Sequence, residues 1–128
     1  MTPIQELDQY FADNGLDRIQ FHGTEYAWGY RENEPIIALI YGQDPGMAFQ
    51  TAMSLYWASA DYISKPWCLI MDSATVAPPQ RGMIGNLATQ YNIQIASESE
   101  LLDTVKTQSK KLIKLLKVYA PDGSLVSL

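Results

Sequence analysis

The sequence predicts an α/β domain built on a mixed sheet, and three observations carry that prediction. Two apolar runs, residues 35–42 (Pro35-Ile36-Ile37-Ala38-Leu39-Ile40-Tyr41-Gly42) and 67–72 (Trp67-Cys68-Leu69-Ile70-Met71-Asp72), have the length and composition of buried strands. Between them, Asp44 to Ile63 reads as a crossover helix with one charged residue in its interior, Asp61. A crossover of that length makes the flanking strands parallel. Upstream, residues 18–22 alternate polar and apolar side chains, and residues 25–30 lead through the polar connector Arg31-Glu32-Asn33-Glu34 into the third strand. That is the pattern of antiparallel pairing.

Taken in order, Thr2 and Pro3 open a first helix as cap and first-turn proline, with Gln5 at capping-box spacing. Ile4, Leu7 and Phe11 form its apolar stripe, and Asn14-Gly15 ends it. A first strand over 18–22 follows, and then a hairpin of the second and third strands. The third strand is more continuously apolar than the second and belongs nearer the centre of the sheet. Asp44 caps the long helix and Pro45 starts it. Gln50, Ser54 and Asp61 share one narrow face, and the remaining apolar surface calls for burial on more than one side, under the C-terminal part of the chain or a second subunit. After the strand ending at Asp72, a loop launches a helix near Pro79 with a stripe of Met83, Leu87 and Tyr91 broadened by Ile84 and Ala88. Residues 92–96 form a short strand. Ser97 and Glu100 fit a capping box for a last helix that buries Leu101, Leu102, Val105, Leu112, Ile113, Leu115 and Leu116. Residues 118–126 read as two short β segments around Pro121-Asp122-Gly123.

A chain of 128 residues without repeats, linkers or low-complexity segments is expected to be a single domain spanning residues 1–128. The one cysteine, Cys68, lies mid-strand and forms no intramolecular disulfide; it reads as a small buried hydrophobe. The acidic, Lys-free start and the lack of a membrane-length apolar run point to a soluble, cytoplasmic protein. The net charge of −5 hides a segregation: residues 1–105 carry 4 basic and 13 acidic groups, whereas residues 106–128 carry 5 basic and 1 acidic. An acidic body with one basic helix argues against non-specific nucleic-acid binding over the whole surface.

Several stretches carry a family likeness. They are Gly23-Thr24-Glu25 with Tyr30-Arg31-Glu32-Asn33-Glu34-Pro35, then Leu55-Tyr56-Trp57-Ala58, and the strand 67–71 running into Asp72-Ser73. Ala88 to Ile95 followed by Glu100-Leu101-Leu102 completes the set. Together with the order α-β-β-β-α-β they resemble the Mrr-type branch of the PD-(D/E)XK restriction-endonuclease-like fold. The resemblance implies a three-layer domain with an αβββαβ core, a divalent-metal nuclease site with an acid at the start of the second strand, a Glu or Gln on the third, and a lysine two residues on. Glu25 can stand at the first acid. The third-strand positions fall near Ala38, Ile40 and Gly42, and residues 44–63 contain no Lys or Arg. The resemblance therefore implies a nuclease framework whose catalytic set is dismantled.

Other constellations have simpler explanations beside the functional ones. Asp44 and Asp72 follow two parallel strands and share one rim; with Glu25 they make the only candidate acid cluster for Mg²⁺-dependent phosphodiester hydrolysis, although helix capping and a strand end explain each separately. His22, the sole histidine, has no nucleophile signature around it, and one Cys with one His is too few for a conventional zinc site. Lys106, Lys110, Lys114 and Lys117 form a basic stripe on the last helix, with Lys111 beside it. It suits phosphate or an acidic partner, but also a solvated face whose cations complement the helix C-terminus. Gly82 and Gly85 lie within a helical pattern, not in a phosphate loop. Tyr26, Trp28, Tyr30, Tyr56 and Trp57 are candidate interface aromatics, with packing or self-association favoured over base stacking for want of a basic surround. The sequence thus points to a non-catalytic binding or regulatory module working without a cofactor. Its expected partner is a protein, including a second copy as a homodimer; nucleic acid is less favoured and a membrane is not expected. The rivals are the Mg²⁺ nuclease and an anti-sigma-antagonist (STAS) type regulatory domain, whose usual serine is missing near Ala77-Pro78-Pro79.

Overall fold

A computed structural model describes residues 2–21, 24–31, 34–62, 67–90 and 93–116 of the chain. The expected terminal hairpin at 118–126, together with His22, Tyr91 and Lys117, lies outside them. The elements run α1 (Pro3–Asp13), β1 (Asp17–Phe21), β2 (Thr24–Arg31), β3 (Glu34–Ile40), α2 (Pro45–Tyr62), β4 (Cys68–Asp72), α3 (Arg81–Gln90), β5 (Ile93–Ala96) and α4 (Leu101–Leu116), the order the sequence predicts. Single 3₁₀ turns precede α3 at Pro78–Gln80 and α4 at Glu98–Glu100, and another follows β4 at Ser73–Thr75. The strands lie in the order β1-β2-β3-β4-β5, antiparallel from β1 to β3 and parallel from β3 to β5. The architecture is mixed α/β, with β3 at the centre as its unbroken apolar run requires.

Alternation along the strands sorts the core into two clusters. Ile37, Leu39, Cys68 and Ile70 point to one face, where Leu7 and Phe11 of α1 and Leu101, Val105, Leu112 and Ile113 of α4 cover them. Ala38, Ile40, Leu69, Met71 and Ile93 point to the other, under Ala48, Ala52 and Leu55 of α2 and Ile84 of α3. Helices therefore pack on both faces. Because α4 lies on the face opposite α2, it does not cover the outer side of α2.

Local chemistry accounts for the boundaries. The Thr2 hydroxyl accepts from the Gln5 amide and the Gln5 side chain accepts from the Thr2 amide, closing the expected capping box. At the other end Gly15 adopts φ +78°, and the Leu16 amide donates to the Phe11 carbonyl at 2.8 Å, an arrangement that satisfies the last carbonyls of α1. In the hairpin, Trp28 faces Ile37 while Gly29 faces Pro35, which leaves Ile36 as an extra residue beside a proline with no amide hydrogen to offer.

Three expectations need correction. Of the α3 side chains described, Ile84, expected only to broaden the stripe, is the buried one, and Met83, expected to lead it, points to solvent. Ser97 makes no capping bond to the helix; its hydroxyl meets that of Ser99 at 3.2 Å, because a 3₁₀ turn intervenes before α4 begins. Finally, Trp28 is not available as an interface aromatic, although it shares a face of β2 with Tyr26. Trp28 is completely buried and stacks on Phe11 with ring centroids 4.8 Å apart, whereas Tyr30 sits at a second register shift and is half exposed.

Candidate functional site

The topology brings several candidate residues to one end of the sheet. β3 exits through Gly42, at φ +74°, into Gln43 and Asp44, and β4 exits through Asp72 into Ser73–Thr75. Because β2 runs antiparallel to β3, its first residues lie at the same end, and the Thr24 hydroxyl donates to the Leu39 carbonyl at 3.3 Å. Glu25 follows on β2; its side chain lies outside what is described.

Each aspartate at this rim already has a local task. The Asp44 carboxylate accepts from the Met47 amide at 3.1 Å, capping an exposed helix start. Asp72 is only 6% exposed and accepts from the Ala74 amide at 3.3 Å, while its carbonyl receives the Thr75 hydroxyl at 2.6 Å. Gln43 accepts from the Thr51 hydroxyl at 3.2 Å, tying the loop to α2. Among the described residues, no three His, Cys, Asp or Glu side chains converge to hold a metal ion. The third-strand positions Ala38 and Ile40 are buried against Ala48 and Ala52 of α2, where small side chains allow the helix close to the sheet.

The lysine row divides. The Lys106 ammonium lies 5.7 Å from the centre of the Tyr10 ring. Lys110, Lys111 and Lys114 are exposed, and among the described residues none of them enters an ion pair. On the other side of the sheet edge, Arg18 holds a 3.7 Å contact to Asp8 and lies over the Tyr26 ring at 5.8 Å. Two open cavities lie away from the rim: about 410 Å³ beside Arg18, Ile19, Gln20 and Tyr26, and about 280 Å³ between β5 and α4 beside Gln94, Glu100 and Asp103.

The aromatic set separates in the same way. Trp28 belongs to the core and donates from Nε1 to Asp8 at 2.9 Å; Tyr26 is half-buried against Tyr41; the Tyr56 side chain is outside what is described. Trp57 is 77% exposed. Around it lies a feature that residue-by-residue reading misses. Of the large apolar side chains left exposed among the described residues, Met47 and Trp57 are on α2, Met83 is on α3, and Ile95 pairs in register with Met71 of the α2/α3 face. Only Tyr30 lies elsewhere. The available signal was the alternative α3 stripe of Ile84, Ala88 and Tyr91, which turns Met83 outward. Among the described residues no helix is long and apolar enough to cross a membrane. Compared with family models, curated proteins and solved structures, the chain matches none.

Proposed function

We propose that this chain is a non-catalytic binding or regulatory module that works through protein–protein contact at the α2/α3 face. The observation that carries the reading is the gathering of Met47, Trp57, Met83 and Ile95 on one side of the sheet, with Trp57 the most exposed of them. Exposed apolar side chains gathered on one side, on elements with few charges, have the composition of a contact surface. The nuclease-like framework belongs to the same reading. The order α-β-β-β-α-β and the parallel β3–β4 pair fit it, and Ala38 and Ile40 occupy the third-strand positions where that framework would carry catalytic polar groups.

The face is tested with bis-ANS, a dye that binds exposed apolar surface. The double variant Trp57→Asp/Met83→Asp, folded by circular dichroism, is expected to lose most of the dye signal; an unchanged signal removes the α2/α3 face from the reading. The catalytic rival is tested on plasmid DNA with Mg²⁺ or Mn²⁺. Cleavage that disappears in Asp72→Asn would replace the binding role with the metal nuclease built on Glu25, Asp44 and Asp72.

A further inference from the structure

We infer that the occupant of the α2/α3 face is a second copy of this chain, in a two-fold contact centred on α2. The inference rests on the reading of that face as a contact surface and adds the identity of the partner.

Charge selects the partner. A two-fold contact sets a surface against itself, so a face with net charge meets the same net charge. From Pro45 to Gln90 the chain has only four charged residues, Asp61, Lys65, Asp72 and Arg81, in 46 positions, about half the density of the whole chain. Asp72 is buried. The described outward side chains of α2 are Met47, Gln50, Ser54 and Trp57, at i, i+3, i+7 and i+10, and none is charged. On α3 the described outward positions are Arg81, Gly82, Met83, Gly85 and Asn86. Asp61, at the spacing of the Gln50 and Ser54 face, and the exposed Arg81 are opposite in sign, so the face carries little net charge and two copies of an acidic protein meet here with less repulsion than elsewhere.

Size sets the strength. An 18-residue α2 is about 27 Å long and a 10-residue α3 about 15 Å, so two helices each about 10 Å wide present roughly 400 Å² in projection and more as accessible surface. The helix α2 alone falls well short of the ~800 Å² per partner of a standard interface, and both helices together approach it from below. The contact is therefore weak, with a dissociation constant on the order of micromolar, and Trp57 is its anchor.

The acid-to-base gradient along α4 provides the competing contact. Glu98, Glu100 and Asp103 lie at its start and Lys110, Lys111 and Lys114 near its end, so two antiparallel α4 helices would also match. Salt separates the two, because exposed ion pairs are screened and apolar contacts are not.

The test is sedimentation velocity on the full chain from about 1 µM to about 200 µM, at low and at high NaCl. Concentration-dependent dimers that persist in high salt are expected. Trp57→Asp and, as a milder change, Trp57→Ser are expected to weaken them by about tenfold or more, and Lys110→Glu to leave them unchanged. A dimer that dissolves in salt and ignores both Trp57 variants overturns the inference in favour of α4. A monomer at every concentration also overturns it. If bis-ANS binding still depends on Trp57 and Met83, a different protein occupies the face; if it does not, the contact-surface reading has failed as well.

Discussion

Asp8 links two elements through one carboxylate: it accepts from Trp28 Nε1 at 2.9 Å and lies 3.7 Å from Arg18 Nε. The exposed Arg18 contact is worth little, but the indole donor is attached to a fully buried ring and has no water to turn to on that side. Asp8→Ala is expected to cost about 1–3 kcal/mol in urea unfolding, while Asp8→Asn, which keeps an acceptor, costs less. Equal losses in the two variants would place the energy in the charge instead. Cys68 makes a second residue-level prediction. Burial raises its thiol from the ordinary 9.0 to about 12. The unfolded chain ionises this group first, so it binds fewer protons above pH 9 and the stability contributed by the neutral thiol is lost as pH rises from about 9 towards 12. Below pH 9 the group contributes no slope. Comparing urea midpoints of the wild type and Cys68→Ala across that window isolates the effect; parallel curves would show that Cys68 does not contribute. The sequence already assigned Cys68 to the core, because a lone cysteine in a continuous apolar strand has no room for a catalytic partner.

At the scale of elements, α1 was readable almost to the atom, and α3 and α4 were not. The reason is physical. The residues Thr2, Pro3, Gln5 and Gly15 form their caps with near neighbours, so the sequence contains both partners of each bond. The phase of α3 is set instead by the sheet it lands on. Met83 and Ile84 are both apolar and adjacent, and burial against Ile93 and Leu69 selects Ile84. The long helix α2 shows the same limit: its composition called for a cover, but only the assignment of α4 to the opposite face leaves Met47 and Trp57 bare. The phase of α3 is checked by a pair of truncations. Ile84→Ala is expected to cost about 2–5 kcal/mol as a cavity-forming change, and Met83→Ala to stay within about 0.5 kcal/mol at a concentration where the chain is monomeric. The reverse order would restore the Met83 stripe.

Across the whole molecule, hydrophobic alternation carried the order of elements and the parallel β3–β4 pair into view, because two-sided burial leaves an unbroken apolar run that only a covered central strand can use. The rim was legible too, since strand direction alone brings Asp44 and Asp72 to one end; what their carboxylates do there was not, because the Met47 and Ala74 amides that they bind become donors only once the turns have formed. The same sheet explains why a polar catalytic group cannot simply be placed on β3. Ala38 is fully buried, faces Ala27 across the hairpin, and lies under the alanines of α2. A glutamate at that position adds volume where the helix approaches closely and buries a charge with no described cation beside it. Ala38→Glu is therefore expected to destabilise the fold by several kcal/mol, and by more at pH 7 than at pH 4, where the side chain can be protonated. Thermal unfolding with and without Mg²⁺ decides the matter. A dismantled site gives the same low midpoint in both, whereas a midpoint that rises with Mg²⁺, and rises less once Asp72→Asn is added, would mean that the rim still holds the remaining ligands of a metal centre and that one residue on β3 had been enough to disable it.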